Sequence, residues 1–262
     1  MPSLPIRPND LFSLALVASV VEALRGAASQ DELVRLIDAI AREMGFRHYA
    51  VIEHDDLHVV RSDRIDIKDY PTAVIERLMR DRNFRRDPVL RGCVFADSAF
   101  LWSDLERIIS LDKRDRASFE HGARLGLNEG ITVPYTRLGD RMGSCTFAGT
   151  RQPERAHLFL GAAQMIGIFA FQSARRLVRG ELPVAPVAPR LHPRPRDCIV
   201  LAGRGYSNKE IARSLALAPR TVDGYLTEAR RLFDAHDRTE LVVSAVLTGE
   251  IGLHELKGGQ PA

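Results

Sequence analysis

The sequence predicts an α/β domain over residues 1–180, an α/β/α sandwich around an antiparallel sheet, followed by a separate all-α domain over residues 191–262. Three observations point to this. The first part alternates helical and strand periodicity, with short strands bounded by turn residues, which suits an antiparallel sheet between helical layers. Pro183, Pro186 and Pro189 then fall among valine and alanine, a composition that blocks helix and favours an extended linker over residues 181–190. Beyond it come only short amphipathic segments broken by glycine. With 262 residues, 45% of them hydrophobic, the chain can fill two modest cores.

The apolar run from Leu11 to Val21 follows Arg7, so a secretory leader is the rival to a helix over residues 11–24. Asp10 before it, Glu22 after it and its helical spacing favour a helix with one buried face. Ser29 and Glu32 have capping-box spacing for a second helix carrying Leu33, Leu36, Ile37 and Ile40, which Gly45 ends. Phe46–Glu53 and Leu57–Arg61 are rich in β-branched and aromatic residues, with His54, Asp55 and Asp56 between them as turn material; they predict a hairpin. Pro71 opens a helix with Val74, Ile75, Leu78 and Met79 on one face, and Pro88 discourages further helix. Asp112–Leu125 is helical in pattern. Ile131–Tyr135 and Ser144–Ala148 predict strands around a Gly139-Asp140 turn, and a long helix runs from Pro153 to about Arg179. Its apolar part, Ala156–Phe171, is interrupted by His157 and Gln164 and falls short of a membrane span.

After the linker, Pro195–Ala202 predicts a helix that Gly203 and Gly205 break, and Ser207 with Glu210 caps Asn208–Leu215. A third helix begins near Pro219, with Val222, Leu226, Ala229 and Phe233 on one face and Arg220, Thr221, Asp223, Gly224, Thr227 and Arg230 on another. Two helices joined by a short turn, the second presenting short or forked polar side chains beside cations, make a helix-turn-helix able to enter a major groove. Ser207, Asn208, Lys209 and Arg231 complete this candidate DNA-binding set. Net charge is only +3, so a nucleic-acid footprint needs uneven charge, and the stretch from Arg190 to Arg231 supplies it. The rival is a small helical bundle whose basic surface is merely solvated.

Cys93, Cys145 and Cys198 are odd in number and far apart, which argues against a disulfide framework or a zinc site and fits a reducing cytoplasm. An enzyme would draw on His48, His54, His58 and His121. None has the spacing of a metal-protease motif, and neither a phosphate-cradling glycine loop nor a nucleophile elbow is present. No catalytic residue, metal or cofactor is expected.

The run from Leu191 to Gly205, then Ser207-Asn208-Lys209-Glu210-Ile211-Ala212, Arg220-Thr221-Val222 and Leu226, resembles the helix-turn-helix of LuxR-type regulators. The chain departs from that pattern at Pro195, where glutamate is usual, at Ile199, where leucine is usual, and at Ala218, where serine or threonine caps the recognition helix. Pro195 is expected to shorten the first helix. Asp223 stands where some relatives carry a basic residue.

Residues 1–180 resemble acyl-homoserine-lactone-binding domains of quorum-sensing LuxR-type proteins through Tyr70-Pro71, Arg85-Arg86-Asp87-Pro88-Val89, Trp102, and Gly126 with Gly130-Ile131-Thr132-Val133-Pro134. The resemblance implies that Asp87 accepts a hydrogen bond from a ligand amide and that Trp102 walls the lactone end. Pro88, Gly130, Tyr70, Ser144, Cys145 and Thr146 complete the candidate pocket. The family's tryptophan and tyrosine donors fall at Val74 and Leu78. A lactone carbonyl buried there without a partner loses about 1–3 kcal/mol. From the residues alone, Asp87 equally suits a turn cap or a pair with Arg85 or Arg86, and Trp102 suits plain core. Three readings of the domain stay open: a lactone receptor with rearranged contacts, a receptor for a different and more apolar signal, or a ligand-free dimerisation domain. The resemblance further implies duplex DNA, a second copy of the chain and RNA polymerase as partners, a cytoplasmic location, and no membrane.

Overall fold

Leu14–Gly26 (α1) and Gln30–Glu43 (α2) open the fold in the computed structural model, which describes residues 14–54, 61–79, 86–180 and 191–257. Ser29 caps α2 by accepting the Glu32 N–H at 3.2 Å, but the Glu32 carboxylate takes the Ala28 N–H at 2.9 Å, so the expected box closes one residue upstream. Gly45, with φ of +82°, then turns the chain into strand β1, Phe46–Glu53, through a conformation that would strain a side chain.

Strands β2 (Asp66–Lys68), β3 (Phe100–Leu101), β4 (Gly130–Tyr135) and β5 (Gly143–Thr150) join β1 in an antiparallel sheet of order β2-β1-β5-β4-β3. The hairpin expectation needs correction. The outer partner of β1 is Asp66–Lys68, paired Val51 to Ile67; Arg61 lies in no strand and residues 55–60 fall outside the described residues. This strand is short and polar, with Ile67 as its single buried side chain, which is why hydropathy passes over it.

The two-residue period divides the sheet. On one face Tyr49, Val51, Ile131, Val133, Cys145 and Phe147 pack into a core with Leu24 of α1, Leu33 and Ile37 of α2, and Ile166 and Phe171 of helix α6, Leu160–Arg179. Ala50, Ile52, Thr132, Ser144 and Thr146 alternate with them on the other face. There the covering layer is α3 (Thr72–Met79), α4 (Pro88–Phe95), a 3₁₀ segment (Trp102–Arg107) and α5 (Lys113–Arg124). The α/β/α sandwich therefore stands.

Pro88 does not end helical structure; it opens α4. At the first helical position a missing N–H costs nothing, and Asp87 supplies the cap. The long C-terminal helix also differs, beginning with a 3₁₀ stretch, Pro153–Phe159, ahead of α6. Together they span 27 residues and, by length and composition, are sufficient to cross a bilayer, contrary to the sequence expectation. In this fold Ala163, Ile166, Gly167, Ala170, Phe171 and Ala174 bury one side of the helix. Along α6, Ile166 is core, Phe169 is half-buried and Met165 is exposed.

The end of α6 is anchored by charge. Glu53, 1% exposed, accepts from Arg179 Nη2 at 2.5 and 2.6 Å and from Arg141 Nη1 at 3.4 Å, while Asp140 pairs with Arg175 and Arg179.

The chain divides into two compact units, Met1–Leu182 and Pro183–Ala262; the proline-rich residues 181–190 lie outside the described residues. The second unit holds α7 (Pro193–Gly203), α8 (Asn208–Leu215), α9 (Pro219–Leu232), α10 (Arg238–Leu247) and α11 (Leu253–Leu256). Its core is Ile199, Ile211, Val222, Leu226, Leu241, Ala245 and Ile251. Pro195 does not shorten α7, because it sits in the first turn, where backbone N–H groups have no intrahelical acceptor. Gly203 belongs to α7, where a Cβ would meet Leu256 at 2.5 Å; Gly205, at φ +89°, makes the break. Helices α10 and α11 go beyond the three expected.

Candidate ligand cavity and nucleic-acid interface

On the second face of the sheet the covering helices stand off and enclose a cavity of about 730 Å³. Tyr70, Val74, Leu78, Asp87, Pro88, Trp102, Ser144 and Thr146 all line it, brought together from segments far apart in sequence. Cys145 does not, because strand alternation turns it into the opposite core. Gly130 is not a lining residue either. A Cβ there would meet Trp102 Cε2 at 2.7 Å, so the missing side chain is what lets the indole lie against β4.

Asp87 is both a cap and a cavity residue. Its Oδ1 accepts the Val89 and Leu90 N–H groups at 2.9 and 3.1 Å, whereas Oδ2 accepts no hydrogen bond from the described residues. Arg86 forms no ion pair with it among the described residues, and Arg85 lies outside them. Burial raises the Asp87 carboxyl to about 6, outweighing the two backbone hydrogen bonds. Burial likewise pushes the Tyr70 phenol upward and the Cys93 thiol to about 12, with the nearby Asp87 charge adding to both.

A chain of hydrogen-bonded side chains forms the sheet side of the cavity. Trp102 Nε1 donates to Thr132 Oγ1 at 3.0 Å, and Thr132 Oγ1 lies 3.0 Å from Thr146 Oγ1. The indole N–H thus serves the fold, and the Trp102 ring face, 5.9 Å from Phe119, serves as wall. Val74 and Leu78 make the α3 side apolar.

The lining residues not anticipated include Ala50, Ile52, Arg77, Leu90, Arg91, Phe119, His121 and Leu127. A usable signal existed for one wall: Asp115, Ser118, Phe119 and Gly122 recur at i, i+3, i+4 and i+7 along α5. Arg91 fastens that wall to α4 through hydrogen bonds to Asp115 at 2.9 and 3.1 Å, with Asp115 only 7% exposed. The histidines make no metal cluster among the described residues. His54 is half-buried, its imidazole lowered to about 4 by desolvation, and it bonds Ser144 Oγ at 2.9 Å; His58 lies outside the described residues.

In the second unit the expected docking face is continuous. Lys209, Arg220, Asp223, Gly224, Thr227 and Arg231 are exposed, Asn208, Thr221 and Arg230 are half-buried, and Val222, Leu226 and Ala229 face the core. An added Cβ at Gly224 would meet nothing within 4 Å, so the outer side of α9 is open at mid-helix. Ser207 is exposed but committed: its hydroxyl donates to Glu210 Oε2 at 2.6 Å in a full capping box. Arg230 Nη2 donates to Thr227 Oγ1 at 3.2 Å. Arg238, which the sequence pattern does not flag, donates to Asn208 Oδ1 at 2.9 Å and to the Tyr206 carbonyl, tying α10 to the start of α8. The turn into α9 passes through Ala216 in the left-handed region, φ 54°.

Comparison with known proteins finds a family for each unit. Residues 29–176 match the model of the autoinducer binding domain, and residues 190–245 match that of bacterial regulatory proteins of the luxR family. The chain is 32% identical over 167 residues to the quorum sensing-dependent transcriptional regulator RpaR of Rhodopseudomonas palustris, covering 64% of this chain and 67% of that one. It is 25% identical over 211 residues to the transcriptional activator TraR of Rhizobium radiobacter, covering 79% and 86%. The fold superposes on SdiA, solved in complex with octanoyl-rac-glycerol, with a TM-score of 0.53 and 17% identity over 93% of this chain and 97% of the other. The chain belongs to the LuxR family of transcription regulators, with an autoinducer-binding domain preceding a LuxR-type helix-turn-helix module.

Proposed function

We propose that the 730 Å³ cavity receives a small amphiphilic signal, and that its occupancy controls binding of duplex DNA by the α8–α9 surface. The observation that carries this reading is Asp87. One carboxylate oxygen is consumed by the α4 cap while the other is left for a donor from the cavity, in a site where burial already penalises the charge. The signal carries an N–H or O–H at its head and an apolar tail. Acyl-homoserine lactones satisfy this, with Tyr70, Ser144 and Thr146 replacing the donors absent at Val74 and Leu78. The apolar wall formed by Val74 and Leu78 favours a second occupant as well, an acyl glycerol such as that bound to SdiA, whose head lacks a lactone.

In this proposal the chain acts as a cytoplasmic homodimer that sets two modules on a two-fold symmetric operator, where it meets RNA polymerase. Exposed Met165 in the first unit, and Leu232, Val243 and Leu247 in the second, are apolar surface suited to a second copy. Binding to the folded state alone raises stability. Thermal midpoints of the purified chain are therefore expected to rise with N-octanoyl-homoserine lactone or mono-octanoylglycerol, and the rise should be smaller in Asp87→Asn. A folded dimer that binds DNA and shifts with neither would instead make the first unit a ligand-free dimerisation domain.

A further inference from the structure

An acid on a surface that meets phosphates needs a reason. Asp223 is exposed on the outward side of α9, one position beyond buried Val222, among Arg220, Thr227 and Arg231. Among the described residues it forms no ion pair. Its partner is a neutral amide: Asn208 Nδ2 donates to Asp223 Oδ1 at 3.3 Å. That amide has its orientation fixed from behind, because Asn208 Oδ1 accepts from Arg238 Nη1 at 2.9 Å and Arg238 Nη2 donates to the Tyr206 carbonyl. A guanidinium cannot accept, so the Asn208 oxygen must face Arg238 and its NH₂ must face Asp223. The Asp223 carboxylate is held in place without being neutralised, and its Oδ2 accepts nothing from the described residues.

A carboxylate carried into a major groove meets mostly acceptors. Guanine shows N7 and O6, thymine O4, and adenine pairs its amino donor with the N7 acceptor; cytosine alone presents its amino donor without an acceptor beside it. We propose that Asp223 is a specificity-determining residue that accepts a hydrogen bond from a cytosine amino group in the target duplex, and that Asn208, locked by Arg238, is the positioning residue that aims it. The assignment rests on α9 being the helix that enters the groove. It accounts for a local charge opposed to the phosphate-binding surroundings, and it separates two jobs on one helix: arginines hold the backbone, and the acid reads a base.

The test is selection of duplexes from a randomised pool by the full-length chain at low salt, comparing wild type with Asp223→Asn, Asn208→Ala and Arg220→Ala. Wild type is expected to fix a cytosine at one position, with discrimination on the order of tenfold against other bases. Asp223→Asn moves that position to adenine, since an amide offers both a donor and an acceptor to N7 and N6. Asn208→Ala keeps cytosine but flattens the preference, and neither variant changes the salt slope. An unchanged base preference in Asp223→Asn, or a wild-type pool with no fixed cytosine, overturns the proposal. If Arg220→Ala then still lowers affinity and salt slope, groove entry by α9 survives; if it changes neither, that reading falls too.

Discussion

The two candidate surfaces are assembled in opposite ways. The docking face comes from one continuous stretch, Ser207 to Arg231, whose side chains mostly point to solvent from helices held by a separate core. The cavity draws on β1, β5, α3, α4, α5 and the 3₁₀ segment, from Ala50 to Thr146. Almost every polar group in it has a structural duty as well: Asp87 caps α4, Trp102 bonds Thr132, and Asp115 pairs with Arg91. On the outward side of α9 function can be removed without touching the fold, whereas Ser207 and Asn208 at the start of α8 also hold structure. In the cavity the two are entangled, and only shape-preserving substitutions separate them.

The largest expected effect tests whether the two cores are independent. Glu53→Ala takes the buried carboxylate from Arg179 and Arg141, which keep only Asp140 and Asp63, and breaking such a pair costs about 3 kcal/mol. Hydrogen exchange resolved by residue should show the loss in residues 14–180 alone; equal loss in 191–257 would mean the units fold as one. Next comes Asp87→Asn, which keeps an α4 cap while weakening the acceptor offered to a ligand. Charged hydrogen bonds of this kind are worth about 1.5–3 kcal/mol, so calorimetry should show roughly 10- to 100-fold weaker binding by a protein that still folds without ligand.

The same carboxyl gives a pH signature with a definite sign. Its folded value of about 6 lies above the ordinary 3.8, so without ligand the protonated form favours folding. Stability contributed by Asp87 is full below 3.8, declines as pH rises to about 6 and is level beyond; Asp87→Asn should abolish that decline in pH-dependent melts. Ligand affinity runs the other way, weakening as pH falls below about 6 and the acceptor is protonated.

Smaller effects belong to the second unit. Ser207→Ala removes one arm of the capping box of α8 and should cost about 1 kcal/mol, confined to residues 191–257. Ala216→Gly relieves the left-handed turn between α8 and α9 and should stabilise that unit by about 0.5–1 kcal/mol. A destabilised Ala216→Gly would mean that the methyl group packs more usefully than the strain it brings.

This contrast also explains what could be read in advance. Helix α9 was legible because Val222, Leu226, Ala229 and Phe233 carry its period and Pro219 marks its start, all local signals. Strand β5 was legible, and so was its alternation, yet nothing local says which of Ser144, Cys145 and Thr146 faces a cavity; the register with β1, Ala50 to Thr146, decides it. Pro88 misled because proline forbids helix before it and favours helix from it, and only the Asp87 cap distinguishes the two. Resemblance placed Asp87, Trp102 and Gly130 together, but that Gly130 acts by making room for Trp102 is a fact of packing.

The central claim is that the cavity and the docking face are coupled through one acceptor, and it is tested most directly by measuring the affinity of the full chain for its selected duplex with and without a ligand that raises the thermal midpoint. The account predicts tighter DNA binding with ligand, by a factor of about 5–150 as is usual for coupled sites, and the loss of that gain in Asp87→Asn with unliganded DNA affinity intact. Equal DNA affinity with and without saturating ligand in the wild type would contradict it.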